Sequence, residues 1–278
     1  MKTIILGASG LLGQALMREW THDEVLGLSS FDVDIRDEGR LRERLEPARP
    51  DWIVLAAAYT DVDGCETHQE RAFSVNRDGA ENVARVAKSV GARMLFLSSD
   101  YVFDGKKTSP YEAGDTRNPQ SIYGRSKAEA EVRLLDVLPN VCIVRTSWLF
   151  GPGGKCFPDT ILKLAATRPA LDVVDDQRGC PTYSVDLAGA IIELCRKGAS
   201  GIVHATNSGD CSWFEFAREI LRLKGSKTEV RPVSSKQMAR PAPRPAYSVL
   251  SAKSLDRWGI TMPGWQDALQ RYLQNRVS

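Results

Sequence analysis

A chain of 278 residues is long enough for one large domain or two joined ones, and its 42% hydrophobic and 26% charged residues are ordinary proportions for a soluble globular protein. A net charge of +2 gives no reason to expect nucleic acid or an acidic membrane as a partner. Cys65, Cys142, Cys156, Cys180, Cys195 and Cys211 form no C-x-x-C pair and have no histidine placed to suggest a zinc knuckle, which argues against a metal and for reduced thiols in a cytoplasmic protein. No apolar run approaches the ~18 residues needed to span a bilayer, and residues 3–7 are too short for a signal peptide.

The first half alternates short apolar runs with helical patterns. Strands are expected at residues 3–6, 25–28, 52–55 and 94–97, and helices at 11–20, 40–45 and, as one long element, 72–90. Continuous apolar strands separated by amphipathic helices predict an α/β fold: a Rossmann-like, doubly wound parallel sheet covered on both faces. A helix follows from Tyr123 to about residue 135, then a strand at 141–144. Beyond Gly151 the chain is richer in Pro and Gly, and helices dominate, at 159–167, 184–196, 213–223 and 266–275, with strand-like pieces at 171–174 and 201–205. Residues 1–148 therefore read as a dinucleotide-binding domain. Residues 149–278 read as a smaller, mainly helical substrate lobe with segments returning to the sheet. Prolines at 241, 243 and 245 force an extended path there, because each pushes its predecessor away from helix.

Gly7, Gly10 and Gly13, with Leu11 and Leu12 between them, follow a strand and open a helix. Glycine there lets the backbone approach a pyrophosphate, and the helix N-terminus offers free amides and a positive dipole. The spacing is G-x-x-G-x-x-G, not the dinucleotide fingerprint, and alone it describes any tight strand-to-helix turn. At the end of the second strand, where an acid often holds the ribose of NAD, stand Ser29 and Ser30, which suit a 2′-phosphate. The expected cofactor is NADPH, with NADH tolerated. Asp34 and Ile35 fall where an adenine would lie, and Ala57, Ala58 and Tyr59 close the third strand with mostly small residues, as a cofactor crossing a strand edge requires.

Tyr123 and Lys127 are one helical turn apart on one face. A tyrosine with a pKa of ~10 is a poor acid–base group at neutral pH unless its anion is stabilised, and the lysine charge is expected to lower that pKa. Ser99, at the end of the fourth strand, supplies a hydroxyl that holds a carbonyl oxygen while Tyr123 protonates it. Any Y-x-x-x-K alone is an ordinary helix pair; the glycine turn upstream and Ser99 turn it into the apparatus of a nicotinamide-dependent carbonyl reductase.

This constellation resembles the extended short-chain dehydrogenase/reductase family and, within it, the dTDP-4-dehydrorhamnose reductase branch. The likeness runs nearly end to end, through residues 7–13, 98–105, 123–127, 145–148, 176–182 and 244–245. It implies an NAD(P)H-dependent reduction of the 4-keto group of a nucleotide-linked deoxysugar, dTDP-4-dehydro-L-rhamnose to dTDP-L-rhamnose, with Ser99 and Asp100 touching the sugar and Trp148 lining its pocket. Departures from the family pattern are Ser99 for threonine, Cys156 for an asparagine suited to the nucleotide diphosphate, and Val249 and Ser251 for an arginine and an aspartate. Ala15 replaces a glutamate that holds a metal between subunits of some relatives, so no metal is carried over; a homodimer is left open. A 4,6-dehydratase is disfavoured because Tyr101 stands where that enzyme has its glutamate. A 3,5-epimerase-reductase would need a further acid–base pair. Two alternatives stand: a reductase of another nucleotide sugar, and an NADP-binding regulatory subunit of methionine adenosyltransferase, which shares the serine-serine-aspartate-tyrosine stretch and the tyrosine–lysine pair.

Overall fold

A short run of uninterrupted apolar residues has no polar face to turn to water, so it folds as a strand buried on both sides. The computed structural model, which describes residues 1–276, places such strands as β1 (Lys2–Leu6), β3 (Trp52–Leu55), β4 (Arg93–Ser99) and β5 (Cys142–Thr146), with β2 (Glu24–Leu28) at the sheet edge, where Leu26 is exposed. The strand Gly201–His204 joins β5 from the second half of the chain, giving a six-stranded parallel sheet in the order Gly201–His204, β5, β4, β3, β1, β2. The last two positions of the expected 149–278 lobe lie outside the described residues. β1 pairs with β2 on one side and β3 on the other, so the strand order reverses there and opens a crevice beyond the carboxyl ends of the strands.

Helices Leu11–Glu19 and Ser184–Arg196 cover one face, packing Leu16, Leu187 and Ile191 on the sheet. Helices Glu38–Leu45, Ala80–Val90 and Ile122–Val137 cover the other with Leu41, Val83 and Leu134. Phe150, Phe216, Trp265 and Tyr272 form a separate core in the second half, flanked by the parallel strand pair Ala170–Val174 and Glu229–Val233. Among the described residues no helix is long and apolar enough to cross a membrane.

The structure differs from expectation at residues 72–90. The segment is not one α-helix: Gln69–Phe73 runs into a π-helical turn, Ser74–Gly79, before Ala80–Val90. The wider turn carries Asn76 inward, where it is 1% exposed. Its Oδ1 accepts from Tyr59 N at 2.8 Å, and its Nδ2 donates to Tyr59 O and to Ser126 Oγ, each at 3.0 Å. One amide thus ties the segment after β3 to the helix that carries Tyr123, and π-turns are frequent at functional sites. The helix Val62–Thr67 was also not foreseen: it is short and polar, and is started by Asp61, which caps Gly64 N at 2.9 Å.

The helix Ile122–Val137 is fixed by a buried charge. Glu131, fully buried, accepts from Ser98 Oγ at 2.5 Å and from Arg145 Nε at 2.9 Å and Nη2 at 2.6 Å. Arg117 adds a contact at 3.2 Å. Burial pushes the Glu131 pKa up, but the Arg145 guanidinium and these hydrogen bonds outweigh it and hold the carboxyl below its usual range. Glu131→Ala leaves Arg145 buried without its partner and is expected to cost about 3–5 kcal/mol in urea unfolding, whereas a Glu131→Leu/Arg145→Met double variant is expected to lose less. Equal losses in the two would refute this account.

Candidate active site

β1 delivers the chain into Gly7, whose φ of +92° is left-handed. A Cβ there would lie 2.5 Å from Ala57 N, and one on Gly13 would run into Gly7 O, so the turn closes only with glycine at both places. Gly10 caps the helix, and the first i→i−4 bond runs from Gln14 N to Gly10 O at 2.9 Å. The amides of Leu11, Leu12 and Gly13 precede that bond, and no acid stands in the first turn. This cradle suits a diphosphate.

The turn forms one wall of a cleft of about 540 Å³. The same cleft gathers Ala57, Ala58, Ser99, Asp100, Tyr123, Lys127 and Trp148, groups drawn from widely separated stretches of the chain. A cavity of about 240 Å³ adjoins it and holds Ser29, Asp34, Ile35 and Tyr59, with Ser30 and Ala58 lining both. Every site residue expected from sequence therefore borders one of these two connected spaces. The rationale for Ser29 needs correction. Its hydroxyl donates to Asp32 Oδ2 at 2.7 Å, so a turn carboxylate already occupies it. Ser30, Arg36 and Arg71 remain around the outer cavity, although Arg36 forms an ion pair with Asp34 at 2.5 Å. Neither arginine was singled out from sequence.

Electrostatics in the cleft depart from expectation at Tyr123. Burial raises the phenol pKa and the neighbouring Asp100 charge raises it further, while a hydrogen bond with Ser99 opposes both. Lys127, 2% exposed, lies with Nζ 4.2 Å from the centre of the Phe96 ring. Burial pulls its pKa down to about 7, against the opposing charge of Glu131. The phenol is therefore held protonated rather than primed as an anion. Asp100, 2% exposed, is pushed up to about 6 by burial. Its Oδ1 accepts from Ser99 Oγ at 2.9 Å, while its buried Oδ2 has no partner. Thr146, at the end of β5 opposite Ser99, likewise has a buried hydroxyl without a partner beside the cleft. His204 is packed, not exposed: burial and then Arg145 pull its pKa down to about 4, with Nε2 3.3 Å from Arg145 Nη1.

Trp148 has a φ of +46°, rare for an aromatic residue. Its ring stacks on Trp213 with centroids 3.5 Å apart and planes 7° from parallel, and a Cβ on Gly179 would lie 2.5 Å from it. Beyond this stack a second cavity of about 510 Å³ is lined by Phe157, Gln177, Trp213, Met238, Arg240 and Arg244. Arg244 is anchored by Asp63 through Nη1 at 3.0 Å and Nη2 at 2.9 Å. Sequence reasoning did not find this cavity, although Gln177 and Arg244 lie in motifs it quoted. Cys156 is buried, with Sγ 3.4 Å from Tyr272 Oη, so it packs in the lobe core.

Lys127 also sets a pH dependence. Its proton is bound by the unfolded chain but released by the folded one between about pH 7 and its ordinary 10.5, so stability contributed by this site rises with pH across that window. Wild type is expected to gain urea resistance relative to Lys127→Met between about pH 7 and 10. A pH-independent difference between the two would refute a depressed lysine.

The whole chain, residues 1–278, matches the family described as RmlD substrate binding domain. Spore coat polysaccharide biosynthesis protein SpsK of Bacillus subtilis is 41% identical over 279 residues, spanning 100% of this chain and 98% of its own. The dTDP-4-dehydrorhamnose reductase of Mycobacterium tuberculosis is 40% identical over 278 residues, spanning 96% of this chain and 91% of its own. The crystal structure of dTDP-4-dehydrorhamnose reductase from Bacillus anthracis in complex with NADP has a TM-score of 0.97 at 36% identity, covering 99% of this chain and 100% of that one. With a match along its entire length, the chain belongs to the RmlD substrate binding domain family, among the dTDP-4-dehydrorhamnose reductases, which are NAD(P)H-dependent oxidoreductases.

Proposed function

We propose that this protein reduces the 4-keto group of a dTDP-linked deoxysugar with NADPH, converting dTDP-4-dehydro-L-rhamnose to dTDP-L-rhamnose. The observation that carries this reading is the shared cleft: Ser99, Tyr123 and Lys127 border the same space as the Gly7–Gly13 turn. The residues fit a dinucleotide, because the glycine turn leaves room that any Cβ would fill and the hydroxyl of Thr146 lies unpartnered beside it. The diphosphate is assigned to the amides of Leu11, Leu12 and Gly13, and the adenosine end to Ser29, Ser30, Asp34, Ile35, Ala57, Ala58 and Tyr59. Bound NADPH supplies the hydride.

The chain's own groups handle the oxygen. Ser99 turns its donor from Asp100 to the carbonyl oxygen, and Tyr123, held protonated by its surroundings, gives that oxygen its proton. Lys127, one turn along the same helix face, opposes the negative charge left on the phenolate and also holds the nicotinamide ribose. Asp100 contacts the sugar, and Trp148 forms a wall of its pocket. A nucleotide sugar suits two cavities meeting at the Trp148–Trp213 stack: sugar towards Tyr123, base against Phe157 and Trp213, and phosphates towards Arg240 and Arg244. Residues 1–148 then act mainly on the cofactor and 149–278 mainly on the substrate, in the cytoplasm, where nucleotide sugars and NADPH meet.

Tyr123→Phe is expected to reduce turnover of dTDP-4-dehydro-L-rhamnose by about 10²–10⁴-fold, the worth of a placed general acid. NADPH binding, followed by fluorescence titration, is expected to change little. An unimpaired variant would remove Tyr123 from the chemistry. Turnover of other dTDP-linked 4-keto sugars but not this one would correct the substrate alone.

A further inference from the structure

The loop after β5 contains a cation that no motif accounts for. Gly151-Pro152-Gly153-Gly154-Lys155 leaves the Trp148 bend and returns over the helix Leu11–Glu19. The Gln14 carboxamide fastens it there: Nε2 donates to Ser9 O and to Gly153 O, each at 2.8 Å. Gly153 has a φ of +92°, and a Cβ on it would run into that same carboxamide, so the approach needs glycine. Gly154 lies over Leu11, where a Cβ would be 3.3 Å from the leucine Cβ. Gln14 thus joins the backbone of the glycine turn to the backbone of this loop.

The latch sets Lys155 at the rim of the cleft that contains Ser9, Gly10, Leu11, Leu12 and Gly13. Lys155 is exposed, and its ammonium enters no hydrogen bond or ion pair among the described residues. The facing helix turn carries no acid and no capping side chain. Helix amides cradle an anion from one side but carry only partial charge, about half a unit per helix end. A diphosphate bears two negative charges, and a full cation opposite the amides supplies what they lack.

We propose that Lys155 is a cofactor-diphosphate ligand, held over the glycine turn by the Gln14 latch. This rests on the cofactor reading of the cleft. The nucleotide sugar also carries a diphosphate, but the latch ties Lys155 to the turn and not to the second cavity, whose lining does not include it.

Titrations of NADPH, NADH, adenosine 2′-monophosphate and dTDP into wild type, Lys155→Met, Lys155→Arg and Gln14→Leu test the assignment. Lys155→Met is expected to raise Kd about tenfold for NADPH and NADH alike, the scale of a charge-assisted hydrogen bond. It is also expected to flatten the dependence of Kd on salt. Lys155→Arg restores most of the affinity, and Gln14→Leu weakens both dinucleotides while keeping the ammonium. Adenosine 2′-monophosphate and dTDP are expected to bind all forms equally. Unchanged dinucleotide affinity in Lys155→Met, or a loss confined to dTDP or to adenosine 2′-monophosphate, overturns the assignment. Failure of the wild type to bind either dinucleotide sinks the cofactor reading itself, and this assignment with it.

Discussion

The fold places its reactive side chains through one buried carboxylate. Tyr123, Lys127 and Glu131 recur every four residues along the helix Ile122–Val137 and so share a face. Glu131 reaches β4 through Ser98 and β5 through Arg145. Ser98 immediately precedes Ser99, and Arg145 immediately precedes Thr146, so the bonds that hold the helix also fix both strand ends facing the cleft. Replacing a buried ion pair with apolar side chains is often neutral or stabilising, so stability alone is a weak reason for this one. Its directional bonds provide register, whereas apolar packing would let the helix slide along the sheet.

The same carboxylate shapes the charge balance nearby. Lys127 is buried between Phe96 and the body of its helix, and burial alone would favour the neutral amine. Glu131, one turn on, pulls the other way. Burial of the Tyr123 phenol, and then the Asp100 charge, favour its protonated form. On the proposed reading this arrangement suits a proton donor. The phenol keeps its proton until an oxygen beside it gains electrons, and the lysine charge then counters the phenolate.

Features controlled by short-range pattern were legible in the sequence. The strands β1 to β5 follow from uninterrupted apolar runs, and helices Ser184–Arg196 and Trp213–Leu223 match their expected bounds. Residues of the cleft were found because strand ends and a helix face have fixed spacings. The π-turn at Ser74–Gly79 was not found, because Ala72, Val75, Ala80 and Val83 fit an α-helical pattern; what widens the turn is Asn76 bonding to Tyr59 and Ser126, which lie elsewhere in the chain. Glu131 left a usable trace, a carboxylate one turn beyond Lys127 on the face buried against the sheet. The direction of the Tyr123 shift was missed because helix spacing reveals the lysine but neither the burial of the phenol, the larger cause, nor the Asp100 charge that adds to it.

The second cavity was the least legible part, since Phe157, Gln177, Trp213 and Arg240 come from four separate stretches of chain. Its boundary with the cleft is the Trp148–Trp213 stack, and this explains the unusual backbone at Trp148. A residue at φ +46° costs free energy, of order 1–3 kcal/mol, and persists only where its surroundings over-determine it. Here Ser147 Oγ holds Cys180 O at 2.7 Å, Thr182 N reaches Trp148 O at 3.2 Å, and Gly179 makes room for the indole. The segment 176–182 thus supports the wall against which the proposed sugar rests. On that reading, groups that move the proton sit on the sheet and its helix, while the surfaces that select sugar and nucleotide belong to the lobe. Substitutions at Phe157, Met238 or Arg240 can then alter which nucleotide sugar is accepted without disturbing the bonds that hold Tyr123 and Lys127.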